Sequence, residues 1–285
     1  MHASRFLLPL ILCGLLSCQS DDDTVTPVQT FPPLAPVLAP VTGNWIHPQP
    51  GLSWQWQLSG TINTEHAVDL YDVDLFDTPD SVLAILGDRG VLRVAYFSAG
   101  SGEDWREDFA SIPASALGQP LDGWPGERWL NIRDPQVFEL MRTRIALAAS
   151  RGFEGVEFDN VDGASNDTGF ILDEADQLAY NRMLANEAHS HGLFAVLKND
   201  LDQLEDLVDY YDMALNEECH VWDECDVYEV FRDAGLPVLN AEYADGEVQA
   251  TALAATICPL SQAAGLNTLI LPLDLDDAFR VSCTP

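Results

Sequence analysis

The chain has 285 residues, 46 acidic against 13 basic, for a formal net charge of −33 and a pI near 4.1. A surface of that sign repels phosphate and excludes a nucleic acid as partner, while it draws in cations over about a Debye length. A polycationic substrate and a surface adapted to salt both account for the acidity, and Lys198 is the only lysine.

The chain opens with Arg5, an apolar run from Phe6 to Leu16, and then Leu15-Leu16-Ser17-Cys18. This reads as an export signal whose end resembles a bacterial lipobox. It predicts a mature protein lipid-modified at Cys18 and anchored to the outer membrane, with an ordinary cleaved signal as the alternative. Cys13, preceded by Leu12, lacks the small neighbour a lipobox needs. The run is too short to span a bilayer. Residues 19–50 hold Pro27, Pro32, Pro33, Pro36, Pro40, Pro48 and Pro50, the composition of a semi-rigid spacer.

From residue 51 to 285, about 235 residues suit one α/β domain, a single (β/α)8 TIM barrel, better than two domains. Strand-like stretches recur at Ser53–Leu58, Val68–Leu75, Val91–Ser98, Phe153–Asp159, Leu193–Lys198, Asp212–Glu217, Pro237–Glu242 and Asn267–Leu271. Helical patterns fill the gaps, which is the signature of βα units around a parallel sheet. Asp134 and Pro135 form an N-cap and first turn ahead of Val137, Leu140 and Met141, which share a face. Ala175, Leu178 and Ala179 begin another helix, which ends before Gly192. Asp200 is expected to cap a third through Leu201, Leu204, Leu207 and Val208, with Gln203 as in a capping box. Gly60 to His66 carries no convincing helix.

Cys219, Cys225, Cys258 and Cys283 remain for the folded body, and in an oxidising compartment they predict two disulfides. Three pairings are possible, and the local ones, Cys219 with Cys225 and Cys258 with Cys283, are favoured. No C-x-x-C or neighbouring histidine spacing supports zinc, and no metal or cofactor is expected.

The chemistry collects at strand ends. Gly152 to Gly163 carries an apolar strand into Glu157, Asp159 and Asp162, and carboxylates at the C-terminal ends of parallel strands meet solvent at the mouth of such a barrel; an acidic turn is the plainer alternative. Alternation puts Glu157 and Asp159 on one side, Val156 and Phe158 on the other, so Asp159 is the acid nearest the rim and Glu157 lies a layer deeper. Lys198, one strand over, is placed to hold a carboxylate ionised. Two carboxylates on different strands are what glycoside hydrolysis requires. Trp54, Trp56, Trp105, Trp124 and Trp129 are candidate platforms for sugar faces. Ser/His/Asp catalysis lacks a G-x-S-x-G elbow, and His189 and His191 fall on different faces of one helix. A calcium loop fails because Phe158 stands where its first Asp ligand is needed.

These residues fall in blocks: Trp54-Gln-Trp-Gln-Leu-Ser-Gly60, Tyr71-Asp-Val-Asp-Leu-Phe-Asp77, Tyr96-Phe-Ser-Ala-Gly-Ser101 with Asp104 and Trp105, Gly155-Val-Glu-Phe-Asp-Asn-Val-Asp-Gly163, Leu197-Lys-Asn-Asp200, Asn216-Glu-Glu-Cys219 and Asn240-Ala-Glu-Tyr243. In this order they resemble glycoside hydrolase family 114, the endo-α-1,4-polygalactosaminidases, across essentially the whole folded body. The resemblance implies a (β/α)8 barrel that cleaves α-1,4-linked galactosamine polymers, including partly N-acetylated ones. It makes Asp159 the nucleophile or base and Glu217 the general acid, a choice over Glu218 that strand parity could not make. Glu218 stands where the family pattern has Gln. Asp74, Tyr96, Lys198 and Glu242 would position the sugar, with Trp105, Asn160, Asp162, Asn216 and Tyr243 completing the binding set. A monomer is expected. Competing readings are a glycan-binding lipoprotein without catalysis, or a hydrolase of another α-linked glycan, since fold alone does not fix function. The hydrolase reading requires Asp159 and Glu217 to face one cleft.

Overall fold

The structure, a computed structural model, describes residues 31–37 and 39–283; the signal segment, Cys18 and the first part of the expected spacer lie outside the described residues. Eight parallel strands follow one another in a single sheet: β1 (Trp54–Gln57), β2 (Leu70–Asp74) and β3 (Leu92–Ser98), then β7 (Gly155–Asp159), β8 (Phe194–Lys198), β9 (Met213–Glu217), β10 (Val238–Tyr243) and β11 (Asn267–Leu271). A short β12 (Val281–Ser282) adds antiparallel to β11. These are the eight predicted strands, each within a few residues of its expected bounds. Across the seam between first and eighth parallel strands, Trp54 Nε1 donates to Asn267 O (2.8 Å) and the Leu58 amide donates to Leu275 O (3.0 Å).

Alternation sorts the side chains into two apolar layers. Trp54, Leu70, Val94, Phe194, Val196 and Met213 fill the space inside the curled sheet, while Val73, Ala95, Phe97, Val156, Phe158 and Leu197 face outward to the helices. Gly155 is required by the inner layer: a Cβ there would meet the Phe194 ring at 2.3 Å, an overpacking that costs about 1–3 kcal/mol.

The helices are α1 (Asp80–Asp88), α2 (Pro135–Ser150), α3 (Glu174–Ser190), α4 (Leu204–Leu207), α5 (Cys219–Trp222), α6 (Glu229–Asp233) and α7 (Glu247–Ala264). Asp134 caps α2 by accepting from the Gln136 amide, with Pro135 in its first turn, and no helix joins β1 to β2. The helix expected after Asp200 is a correction: a 3₁₀ turn, Leu201–Gln203, precedes a four-residue α4. Asp200 adopts the left-handed region (φ 50°) with no cap bond. Its carboxylate instead accepts from Asn181 Nδ2 at 2.7 Å, and Gln203 Nε2 donates away to Glu174 O at 2.7 Å.

Two features were not anticipated. A three-stranded antiparallel sheet, β4 (Ser101–Glu103), β5 (Leu117–Pro120) and β6 (Glu127–Leu130), is inserted between β3 and α2. The latter half of the expected spacer is docked rather than free. The Leu34 amide donates to Asp176 Oδ1 (2.9 Å), the Val41 amide to Asn186 Oδ1 (2.7 Å), and Trp45 stacks on His189 at 3.9 Å. These bonds to α3 extend the folded unit back beyond residue 51. Cys219–Cys225 and Cys258–Cys283 are disulfide-bonded, as their proximity in sequence favoured, and such bonds persist in oxidising compartments. No helix among the described residues is long and apolar enough to cross a membrane.

Candidate active site

The C-terminal ends of β7, β8 and β9 deliver Asp159, Lys198 and Glu217 side by side, because each is the last inward-facing residue of its strand. The next residue leaves each strand in the left-handed region: Asn160 (φ 59°), Asn199 (φ 49°) and Glu218 (φ 58°). Asparagine adopts this conformation more readily than most residues; glutamate does so at a cost. The three turns throw the chain outward at once, which leaves the preceding side chains facing a cavity of about 260 Å³.

Lys198 Nζ lies 3.0 Å from Asp159 Oδ1 and 3.0 Å from Glu217 Oε2, with Glu157 Oε1 at 3.6 Å. Its ammonium sits 4.8 Å from the Trp56 ring centroid, within cation–π range. Burial alone would lower the lysine pKa, but Asp159, Glu217 and Glu157 carry it well above its ordinary value. The lysine is therefore a fixed cation at the floor of the cavity. Asp159 Oδ2 accepts from Tyr96 OH (2.7 Å) and Asn160 Nδ2 (3.3 Å). Glu217 Oε1 accepts a short bond from Tyr243 OH, and its Oε2 accepts from Asn199 Nδ2 at 3.2 Å. Burial and the adjacent carboxylates push both phenols well up, so they remain protonated donors. Each acid is thus oriented by a phenol, an amide and the shared ammonium.

The walls are acidic and aromatic. Glu127, Asp162 and Glu218 line the cavity with Trp124 and Leu121, and Trp124 is half exposed. Burial pushes Glu127 up to about 7 and raises Asp162, to which nearby Asp159 adds.

Of the residues singled out in the sequence, Asp159, Glu217, Tyr96, Asn160, Asp162, Lys198 and Tyr243 meet in this cavity. Four do not. Asp74 is held by Arg106, whose Nη2 lies 2.5 Å from Oδ2; Arg106 enters from the inserted segment and also binds Glu103 at 2.8 Å. Asn216 and Glu242 belong to the outward parity of β9 and β10. Asn216 Oδ1 accepts from Asn240 Nδ2 (2.9 Å) and Glu242 Oε1 from the His220 amide (3.0 Å), both behind the sheet. Trp105 is half exposed and packs over Gly126, off the cavity wall. Of the tryptophan platforms, Trp56 and Trp124 reach the cavity, while Trp54 is buried in the inner layer. The binding set had passed over Asn199, Glu127 and Glu218. Asn199 carried a signal, an asparagine directly after a strand, whereas Glu127 arrives from the unanticipated sheet. Among the described residues the one group with metal-ligand spacing is Cys219, His220 and Cys225, whose two sulfurs are bonded to each other.

A fixed cation between two oriented carboxylates, at the mouth of parallel strands, is equipped for acid–base and nucleophilic work on a neutral or cationic substrate. The structure is similar to that of Ega3 from Aspergillus fumigatus, solved in complex with galactosamine, at 36% identity and a TM-score of 0.80, covering 85% of this chain and 99% of that one. The glycoside hydrolase domain of PelA from Pseudomonas aeruginosa shares the fold at 17% identity and a TM-score of 0.62, over 81% of this chain and 98% of that domain. An uncharacterized protein of Thermotoga maritima is 24% identical over 125 residues, 39% of this chain and 38% of that relative's length. Residues 36–285 match the glycoside-hydrolase family GH114, and with the barrel and its paired acids in view, it is to this family that the chain belongs.

Proposed function

We propose that the protein hydrolyses α-1,4-linked polymers of galactosamine and N-acetylgalactosamine, with Asp159 as nucleophile and Glu217 as general acid. The observation that carries this reading is the Lys198 bridge. Asp159 Oδ1 and Glu217 Oε2, each 3.0 Å from one nitrogen, lie no further apart than twice that length. Measured between nearest oxygens, that bound admits the ~5–5.5 Å between the carboxyl groups of a retaining enzyme, which is the stereochemistry we adopt.

In the first step Asp159 attacks the anomeric carbon, the glycosidic C–O bond breaks, and Glu217 passes its proton to the departing oxygen. Water then cleaves the glycosyl–Asp159 ester, giving its proton back to Glu217. Over the first step one negative charge leaves Asp159 and appears on Glu217. Lys198 is equidistant from both, so it attends that charge at either end without moving, and electrostatic stabilisation needs no reorganisation.

Galactosamine bound to Ega3 supports an amino-sugar substrate. Its ammonium groups complement Glu127, Asp162 and Glu218 on the walls and the net charge of −33. An exported, monomeric protein tethered through a lipid at Cys18 is the setting we propose, and the two disulfides fit that compartment. The test is release of reducing ends from partly deacetylated poly-galactosamine beside neutral α-galactans. Release from the first alone is expected. Binding without release would leave a glycan-binding protein, and release from the neutral polymers alone would leave another α-glycan hydrolase.

A further inference from the structure

Beneath the reacting pair lies a second carboxyl pair that the hydrolytic scheme does not use. Asp72 on β2 and Glu157 on β7, the strands on either side of β3, are both fully buried and face the inside of the sheet. None of their four carboxyl oxygens has a hydrogen-bond donor among the described residues. Asp72 is flanked in register by Trp56 and Val94, Glu157 by Tyr96 and Val196. The charged and titratable groups facing them are Asp159 on the same strand as Glu157, Tyr96 on β3, Lys198 on β8, Glu217 on β9 and Tyr243 on β10. Lys198, 3.6 Å from Glu157 Oε1, is the single cation among them.

Two neighbouring carboxyls buried away from water, with one lysine in reach of only one of them, cannot both ionise, so one of the pair carries a proton. We propose that Asp72 keeps that proton throughout the working pH range and donates it to Glu157, whose negative charge anchors Lys198 under Asp159 and Glu217. Asp72 and Glu157 are then positioning residues that act through Lys198. The inference rests on the hydrolytic reading for its kinetic consequence and on the buried geometry for the proton itself. The pair takes up protons as a unit. Burial, and then the charge of Glu157, drive Asp72 well above the carboxylate range. Burial also lifts Glu157, but Lys198 and then Asp72 hold it to about 7.

The proton can be seen without turnover, in the infrared carbonyl band of a neutral carboxylic acid. At pH 9, above the value of about 8 to which burial raises Asp200, the wild-type protein should retain such a band. ¹³C-labelling of aspartate carboxyls should shift it, and labelling of glutamate should not. Absence of the band, or a shift on glutamate labelling, overturns the proposal whether or not the protein is an enzyme. In kinetics, Glu157→Gln removes a charge that stands beneath the lysine above about pH 7 and should move the alkaline limb of the kcat/KM–pH profile down by about one unit. Asp72→Asn, whose amide can still donate to Glu157, should leave that limb in place. Asp72→Leu, which cannot donate and so raises Glu157 until it is neutral, should move it as Glu157→Gln does. Equal shifts for Asp72→Asn and Glu157→Gln would mean that Asp72 is itself ionised, and no shift for Glu157→Gln would mean that the pair does not act through Lys198.

Discussion

The two ends of the barrel each hold an aspartate gripped by several donors beside a cavity, yet only Asp159 shares its cavity with a lysine and a second carboxylate held by that lysine. At the N-terminal end, Asp212 accepts from Trp45 Nε1 (2.8 Å), the Ala195 amide (2.9 Å) and His189 (2.9 Å), with His47 at 3.2 Å. Burial pulls its pKa up, but His189, Trp45 and Ala195 outweigh it and hold the carboxylate below its usual range. Both oxygens are occupied by the chain's own groups, two of them from the docked N-terminal segment. Asp159 also has three donors, but it opens on the cavity and has a second carboxylate across the same lysine. A gripped acid becomes chemically useful when one side is left open and a partner stands within a bond's reach; otherwise it is a clasp.

The contrast is broken most directly by neutralising each acid in turn. Asp159→Asn and Glu217→Gln should each lower kcat by about 10³-fold or more while the melting temperature stays near that of the wild type. Lys198→Met should lose activity and also stability, by about 3–5 kcal/mol in denaturant unfolding, since it strands buried carboxylates without their cation. Asp212→Asn should do the reverse of the rim variants, lowering stability by about 1–3 kcal/mol through its lost charge-assisted bonds with kcat essentially unchanged. A smaller effect, read per pH unit, comes from Asp200, which burial pushes up to about 8. A raised carboxyl contributes its full stability below the unfolded value of ~3.9 and loses it as pH rises to about 8, with a slope of up to ~1.4 kcal/mol per pH unit. Asp200→Asn, already suited to the left-handed conformation there, should flatten that slope in unfolding curves taken between pH 4 and 8.

The strands were legible because each is a short apolar run bounded by turn residues, and Asp159 was legible because alternation left it inward at the last position. The same alternation would have turned Asn216 and Glu242 outward, one residue from Glu217 and Tyr243; grouping residues by nearness to a strand end obscured it. Asp74 obeys the inward parity and still misses the site, because Arg106, 32 residues on in sequence, captures it, and no local pattern encodes so distant a partner. The inserted sheet that carries Glu127 is made of strands of three and four residues, too short for a period to declare itself. The docked segment read as a spacer because proline dominates its composition, while its holding residues, Trp45 and His47, act through Asp212 far along the chain.

The measurement that bears most directly on the rim as a two-acid centre is mass spectrometry of the protein after reaction with a 5-fluoro-substituted galactosaminyl fluoride. We predict one added glycosyl group, found after proteolysis on the peptide that contains Asp159 and absent in Asp159→Asn. A glycosyl group on any other residue, or turnover of the polymer whose first-formed product has the inverted anomeric configuration, would contradict the account.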